Sequence, residues 1–249
     1  MNYGDIIGLG RHRLMCGDAT NTEDVHALVG GRKVGLVLTD PPYGINIQSK
    51  DGTIGGNHHL AQLRTTINLR GLPHPVMIGD DSSDSARENY HIVKTLTDRL
   101  IIWGGQYFAD FLPVSGGWLF WNKRTGNSDF SDGELAWRSW GRRVKYYEQL
   151  WNGIVMRGSF TLNGRVNAKG ARARLHPTQK PVELHVNILE DFSQPEDVIL
   201  DCFGGSGTTL IAAEVSGRTC LMMELSPEYC GVIIDRYIKL TQGTFDFRS

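Results

Sequence analysis

The stretch VILDCFGGSGTTLIAAEV, residues 198–215, decides the fold. Val198–Leu200 is a short apolar run of strand character, Asp201–Gly207 reverses the chain on three glycines, and Thr208–Val215 is an Ala-rich helix stopped by Gly217. Strand, Gly-rich turn and helix in immediate succession form the unit from which α/β sheets are wound. Such a turn leaves the N–H groups of the helix N-terminus open to a ligand, with Asp201, Phe203, Gly205, Ser206, Gly207 and Thr208 as the candidate contacts. A phosphate loop of the form GxxxxGK[ST] is excluded because no Lys follows the glycines. The dinucleotide pattern GxGxxG also fails, since Gly205-Ser-Gly207 is followed by Thr208, Thr209 and Leu210. A turn that only reverses the chain stays open as the plain alternative. Glu224 ends the next apolar run, Cys220–Met223, 23 residues beyond Asp201, where an acidic side chain reaches the ribose hydroxyls of a bound nucleoside.

Further apolar runs lie at Val34–Thr39, Leu100–Trp103 and Trp118–Trp121, with helical spacing between several of them. This alternation predicts an α/β fold with a mainly parallel, doubly wound sheet. Two more helices are legible. Pro181–Phe192 carries Val182, Val186 and Leu189 on one face. Pro227–Leu240 has Ser226 as N-cap, Pro227 at its first position, and a stripe of Tyr229, Ile233, Tyr237 and Leu240.

The run Val34–Leu38 ends in Thr39-Asp40-Pro41-Pro42-Tyr43-Gly44. Ligands of open α/β sheets sit at the carboxyl ends of strands, so Asp40 and the Gly204 turn can face one crevice. Two successive prolines fix φ, remove two donors and leave the carbonyls of Asp40 and Pro41 as rigid acceptors. A carboxylate, a stiff carbonyl and an aromatic face suit a flat group bearing an amine. A β-turn with a capping Asp is the alternative.

The chain has 249 residues, 40% hydrophobic and 21% charged, which is the balance of one globular domain, 1–249. Lys+Arg 26 against Asp+Glu 27 give a net charge of -1, which excludes a uniformly basic nucleic-acid binder and requires any polyanion site to be local. No run approaches the ~20 apolar residues of a membrane span, and MNYGDIIGLGRHR lacks the order of a signal peptide, so no membrane partner and a cytoplasmic location are expected. Cys16, Cys202, Cys220 and Cys230 show no metal-ligand spacing and read as reduced core thiols. The tryptophans Trp118, Trp121, Trp137, Trp140 and Trp151 read mostly as core.

Two stretches break the rhythm. Residues 44–78 hold five glycines and His58-His59 without a period, the pattern of a functional or mobile loop. The adjacent histidines read as solvated or phosphate-contacting, and no metal is expected. Within 152–175, Arg157, Arg165, Lys169, Arg172 and Arg174 form a focused positive patch, since RGSFTLNGRVNAKGARAR, residues 157–174, has no acidic residue.

TDPPYG at 39–44, HPTQKPVEL at 176–184 and DCFGGSGTT at 201–209 followed by Glu224 together resemble the beta-class amino-group DNA methyltransferases, in which DPPY precedes the cofactor loop. FSDGELAW at 130–137 looks like phage- and prophage-borne members. Cys202 stands where that family usually has Pro, and the segment between Trp151 and His176 is short for a recognition domain.

The resemblance implies a seven-stranded Rossmann-like sheet with helices on both faces, S-adenosylmethionine as cofactor and double-stranded DNA as partner. It leans toward a homodimer, and a restriction partner stays unknown. By the same resemblance, Asp40 and the Pro41 carbonyl hold an exocyclic amine beside Pro42 while Tyr43 stacks on a flipped base. Phe203, Gly205 and Gly207 frame the cofactor, Glu224 holds its ribose, Asp18 touches its adenine ring, and Thr178 and Lys180 lie beside its methionine end. A turn Asp before Asn21 is the other reading of Asp18, and a helix entry at Pro181 the other reading of HPTQKP. The expected activity is methylation of adenine N6; cytosine N4 is the alternative, and an inactive nucleic-acid-binding relative a third.

Overall fold

The computed structural model describes residues 1–44, 82–124, 131–150 and 179–242. The expected loop 44–78 beyond Gly44, the basic segment 152–175 with its five cations, His176 and Thr178 lie outside the described residues.

The described chain opens with a hairpin, β1 (Ile6–Leu9) and β2 (His12–Cys16), turned at Gly10, whose φ of 57° favours glycine. α1 (Thr22–Val29) starts where Asn21 Oδ1 accepts the Glu23 and Asp24 N–H groups at 2.8 and 3.3 Å, and ends at left-handed Gly30. Then follow β3 (Leu36–Thr39), α2 (Asp84–Val93), β4 (Leu100–Trp103), a 3-10 turn (Gly105–Phe108), β5 (Gly117–Asn122), β6 (Gly133–Arg138) and β7 (Val144–Glu148). The last five elements are α3 (Val182–Phe192), β8 (Val198–Asp201), α4 (Thr208–Val215), β9 (Thr219–Glu224) and α5 (Pro227–Thr241). Ser226 caps α5 by accepting from the Tyr229 N–H, with Pro227 inside the first turn, as the sequence predicts. Pro181 is the N-cap of α3 rather than its first helical residue.

Among the described residues one sheet of nine strands runs β1-β2-β9-β8-β3-β4-β6-β5-β7. β2, β9, β8, β3 and β4 are parallel neighbours, β1 and β6 are reversed, and β7 is parallel to β5. The mostly parallel α/β expectation therefore holds, while the expected seven strands become a mixed nine. The difference has a physical origin in the strands that lack an apolar run. β2 carries His12 and Arg13, β6 starts Gly133-Glu134, and β7 is an edge strand with four of its five residues exposed.

Side chains of the central strands alternate between two cores. Leu36, Leu38, Ile101 and Trp103 pack with α3, α4 and α5, whereas Val37, Leu100, Ile102 and Leu200 pack with α1 and α2. Helices thus cover both faces, which explains why β3 and β4 are buried at every residue. All four cysteines are free and buried.

Candidate active site

β3, β8 and β9 lie together in the sheet and run the same way, so Asp40 just past β3, Asp201 at the end of β8 and Glu224 at the end of β9 emerge on one edge. They line a cavity of about 360 Å³. Asp201 ties the walls together: its Oδ1 accepts from the Thr39 hydroxyl at 2.8 Å and from the Phe203 N–H at 3.1 Å. Burial pushes this carboxyl up to about 7, against the pull of its hydrogen bonds from Thr209, Thr39 and Phe203.

The Gly-rich turn closes over Glu224. The Gly205 N–H donates to Glu224 Oε2 at 2.7 Å, the Ser226 N–H donates to Oε1 at 2.8 Å, and the Gly204 N–H reaches the Met223 carbonyl at 2.8 Å. A Cβ at Gly204 would stand 2.8 Å from Met222 Cγ and 3.0 Å from the Met223 carbonyl, so only glycine allows the turn to lie this close to β9. Burial raises the Glu224 carboxyl, and backbone hydrogen bonds from Ser226, Gly205 and Leu225 oppose the rise. Three backbone donors on its two oxygens leave one lone pair for a ligand hydroxyl.

Phe203, Gly205, Ser206 and Thr208 line the cavity; Gly207 is not among the lining residues, and its φ of 83° sets the entry to α4 beside Ile233. The Ser206 carbonyl and hydroxyl accept from the buried Arg236 guanidinium of α5, which anchors the turn from behind. The Thr208 hydroxyl donates to the Lys180 carbonyl at 3.3 Å. Asp18 also lines the cavity, and its Oδ1 accepts from the Thr20 N–H and hydroxyl, each at 2.8 Å. It is a turn Asp and a wall residue at once.

Across the cavity, the Tyr43 hydroxyl donates to Asp40 Oδ1 at 2.7 Å. The Tyr43 ring stacks on Tyr107, with centroids 5.2 Å apart and planes 23° apart, and meets Phe108 edge-on. Pro41 and Pro42 line the cavity between Asp40 and Tyr43. The Lys180 ammonium donates to Asp40 Oδ2, lies 3.3 Å from Glu134 Oε2, and sits 4.9 Å from the Trp103 ring centroid. Glu134 is held at its other oxygen by Lys123. Burial opposes the charge of Lys180, but Asp40 and Glu134 outweigh it and hold the ammonium above its ordinary range. Burial opposes Glu134 likewise, and Lys180 with Lys123 brings its carboxyl below the usual value. The Tyr43 phenol is pushed far up by burial and then by the Asp40 charge.

The structure therefore brings Asp40, Pro41, Pro42, Tyr43, Asp18, Lys180, Asp201, Phe203, Gly205, Ser206, Thr208 and Glu224 to one cavity. Sequence reasoning missed Glu134, Tyr107 and the buried His185. For Glu134 the signal was present in GELAWR, an acid inside a strand that packs on both sides. His185 contacts the Thr209 hydroxyl at 3.1 Å, stacks on Trp103, and is held down at about 3 by burial and then by Lys180.

A glycine turn folded over one buried carboxylate thus faces a second carboxylate beside an aromatic ring across one cavity. Residues 118–235 match the DNA methylase family model. Over 215 residues the chain is 27% identical to YubD of Escherichia coli (strain K12), named as a methylase, a match that covers 82% of each chain. Among solved structures, the cytosine-N4-specific PvuII DNA methyltransferase superposes with a TM-score of 0.57 over 100% of both chains at 17% identity. A DNA modification methylase of Thermus thermophilus, TTHA0409, complexed with S-adenosyl-L-methionine, superposes with a TM-score of 0.52 at 22% identity, covering 93% of this chain and 97% of that one. Residues 118–235 are thus similar to DNA methylases, and most of the chain is similar to a protein named as a methylase.

Proposed function

We propose that this chain is an S-adenosylmethionine-dependent DNA methyltransferase that acts on the N6 amine of an adenine flipped out of duplex DNA. The observation that carries the reading is the shared cavity: the Asp40–Tyr43 corner and the Gly204–Glu224 cradle face each other across about 360 Å³. The residues present fit the cofactor. Gly204 lets the turn lie close on β9 with Gly205 and Ser206 lining the cavity, and Glu224 keeps acceptor capacity for a ribose hydroxyl. Asp18 and Phe203 stand where they can touch a base and Thr208 lies toward Lys180. When bound, the cofactor supplies an electrophilic methyl group on a sulfonium.

The chain's own work is positioning. A purine amine is a weak nucleophile because its lone pair is delocalised into the ring, and two fixed acceptors, the Asp40 carboxylate and the Pro41 carbonyl, hold its N–H groups so that the nitrogen becomes pyramidal and the pair is localised toward the methyl group. In this reading Asp40, once Lys180 has moved off Oδ2, takes the proton that the amine gives up. Tyr43 supplies a ring face for the base. No covalent bond to the protein is required. The order DPPY, HPTQKP, Gly-rich turn supports the beta-class assignment, and FSDGELAW supports a phage-type member.

Asp in place of Ser before Pro-Pro-Tyr supports adenine, because a carboxylate reaches further than a hydroxyl and only accepts. The PvuII superposition favours the second reading, cytosine N4. Nucleoside mass spectrometry of unmodified bacterial DNA treated with the chain and cofactor decides. N6-methyladenine is the expected product. N4-methylcytosine alone would replace the target base, and no methylated nucleoside would leave the inactive nucleic-acid binder.

A further inference from the structure

In this structure the acceptor that the target amine needs is already taken. Asp40 Oδ1 holds the Tyr43 hydroxyl, and Oδ2 holds the Lys180 ammonium. Lys180 is only 5% exposed, and its carbonyl is pinned by the Thr208 hydroxyl just before α3, so the far end of the side chain is the part that can move. The groups facing that ammonium are the Asp40 carboxylate, the Glu134 carboxylate at 3.3 Å, the Tyr43 hydroxyl at 3.4 Å and the Trp103 ring. A buried ammonium cannot be left alone, since an ion that loses its partner in a low-dielectric site bears the full desolvation penalty. Leaving Asp40 therefore requires a second anion within reach. Glu134 is that anion, and Lys123 on its other oxygen keeps it from swinging away.

We propose that Glu134 is a positioning residue that shares the Lys180 ammonium with Asp40 and draws it off the Asp40 carboxylate as the target amine enters. The exchange is an ion-pair swap with no bond made or broken: Lys180 shortens its contact to Glu134, and an amine N–H takes its place on Asp40 Oδ2. Lys180 thus serves as a stand-in for the substrate amine on Asp40 until the base arrives. The reversed strand β6 brings the acid to this corner: it pairs with β4, with Trp103 opposite Ala136, two residues from Glu134. This inference rests on the reading of Asp40 as the amine's acceptor.

The test is steady-state transfer of tritiated methyl groups to DNA from a bacterial strain lacking methyltransferases, with E134Q, E134D, K180M and the E134Q/K180M pair. E134Q leaves Lys180 with Asp40 as its one anionic partner, so the KM for DNA should rise about tenfold, with kcat changed less. Affinity for S-adenosylhomocysteine, read by calorimetry, should stay within about twofold because Glu134 acts on the amine side. E134D keeps the charge and should recover most of the KM. The double variant should be no worse than K180M, because Glu134 acts through Lys180. The proposal is overturned if E134Q has the wild-type KM, if E134D is no better than E134Q, if the E134Q and K180M losses multiply, or if S-adenosylhomocysteine affinity falls in parallel with DNA affinity. Absence of transfer by the wild-type chain would instead sink the enzyme reading itself.

Discussion

Asp40 carries two bonds at once, a hydroxyl from Tyr43 and an ammonium from Lys180, and this fixes what its removal does. In Asp40→Ala, Lys180 still has Glu134 as a partner, so the chain should fold; methyl transfer should fall by about two to three orders of magnitude, as when a fixed electrostatic contact to the reacting group is lost. Calorimetry with S-adenosylhomocysteine should show affinity unchanged, and loss of both would move Asp40 to the cofactor. Asp201 makes a prediction about pH. Its folded-state carboxyl lies at about 7, above the ordinary 3.8, so the unfolded chain gives up its proton first. The stability contribution of the protonated form is full below about pH 4, declines as pH rises toward 7, and is level above that, a change of roughly 4 kcal/mol. His185 works the other way below its ordinary 6.5, since its folded-state value lies near 3. The difference between wild type and Asp201→Asn isolates the carboxyl: urea midpoints should shift in favour of the variant between pH 4 and 7 and then run parallel. A difference that does not depend on pH would show that Asp201 is not buried as the structure has it.

At the scale of elements, the link between β4 and its 3-10 turn sets the Tyr43 ring. Gly104 has a φ of 70°, and a Cβ there would fall 2.2 Å from Tyr43 Cε1, inside the ring's own volume. Gly104→Ala should displace Tyr43 and lower kcat/KM for DNA by about tenfold or more, as misplacement of a positioning group does. Gly31, with φ of 73° and nothing within 4 Å of its Cβ position, is the control: Gly31→Ala should lose stability, about 1 kcal/mol, and keep its activity. Equal activity of the two variants would free Tyr43 from the base-stacking assignment. The elements around this link also show what a sequence can disclose. β3, β4, β5, β8 and β9, with α3, α4 and α5, were legible because each is an apolar run or a stripe bounded by caps and glycines. α1 and α2 were not, because they are short and rich in charge, and neither were β2, β6 and β7, whose polar residues find partners only in the folded sheet: His12 meets Glu214 at 2.7 Å across more than two hundred residues. The same holds for the site. Motif residues stood out; Glu134 left only the signal of an acid within GELAWR, and Tyr107, in the turn after β4, left none.

For the whole molecule, a net charge of -1 means that DNA affinity must come from a few local cations. Arg165, Lys169 and Arg172, outside the described residues, belong to the stretch 157–174, which holds five cations and no acid, and replacing all three with Gln should lower the slope of log affinity against log salt by about three units and weaken every sequence alike. An unchanged slope would give the stretch another purpose. The strand order has a consequence of a different kind, in time rather than in space. β9 lies between β2 and β8, with Leu221 opposite Arg13, and β8 lies beside β3, with Ile199 opposite Leu36. β2 and β3 leave the ribosome long before β8 and β9 and therefore wait for them, and long loops must close before these pairs form, which slows folding. Until residue 224 has emerged, β2 and β3 present unpaired edges and Asp40 faces no cradle. A nascent chain of this protein is a liability for strand mispairing, and the proposed chemistry begins only after synthesis of the sheet is complete.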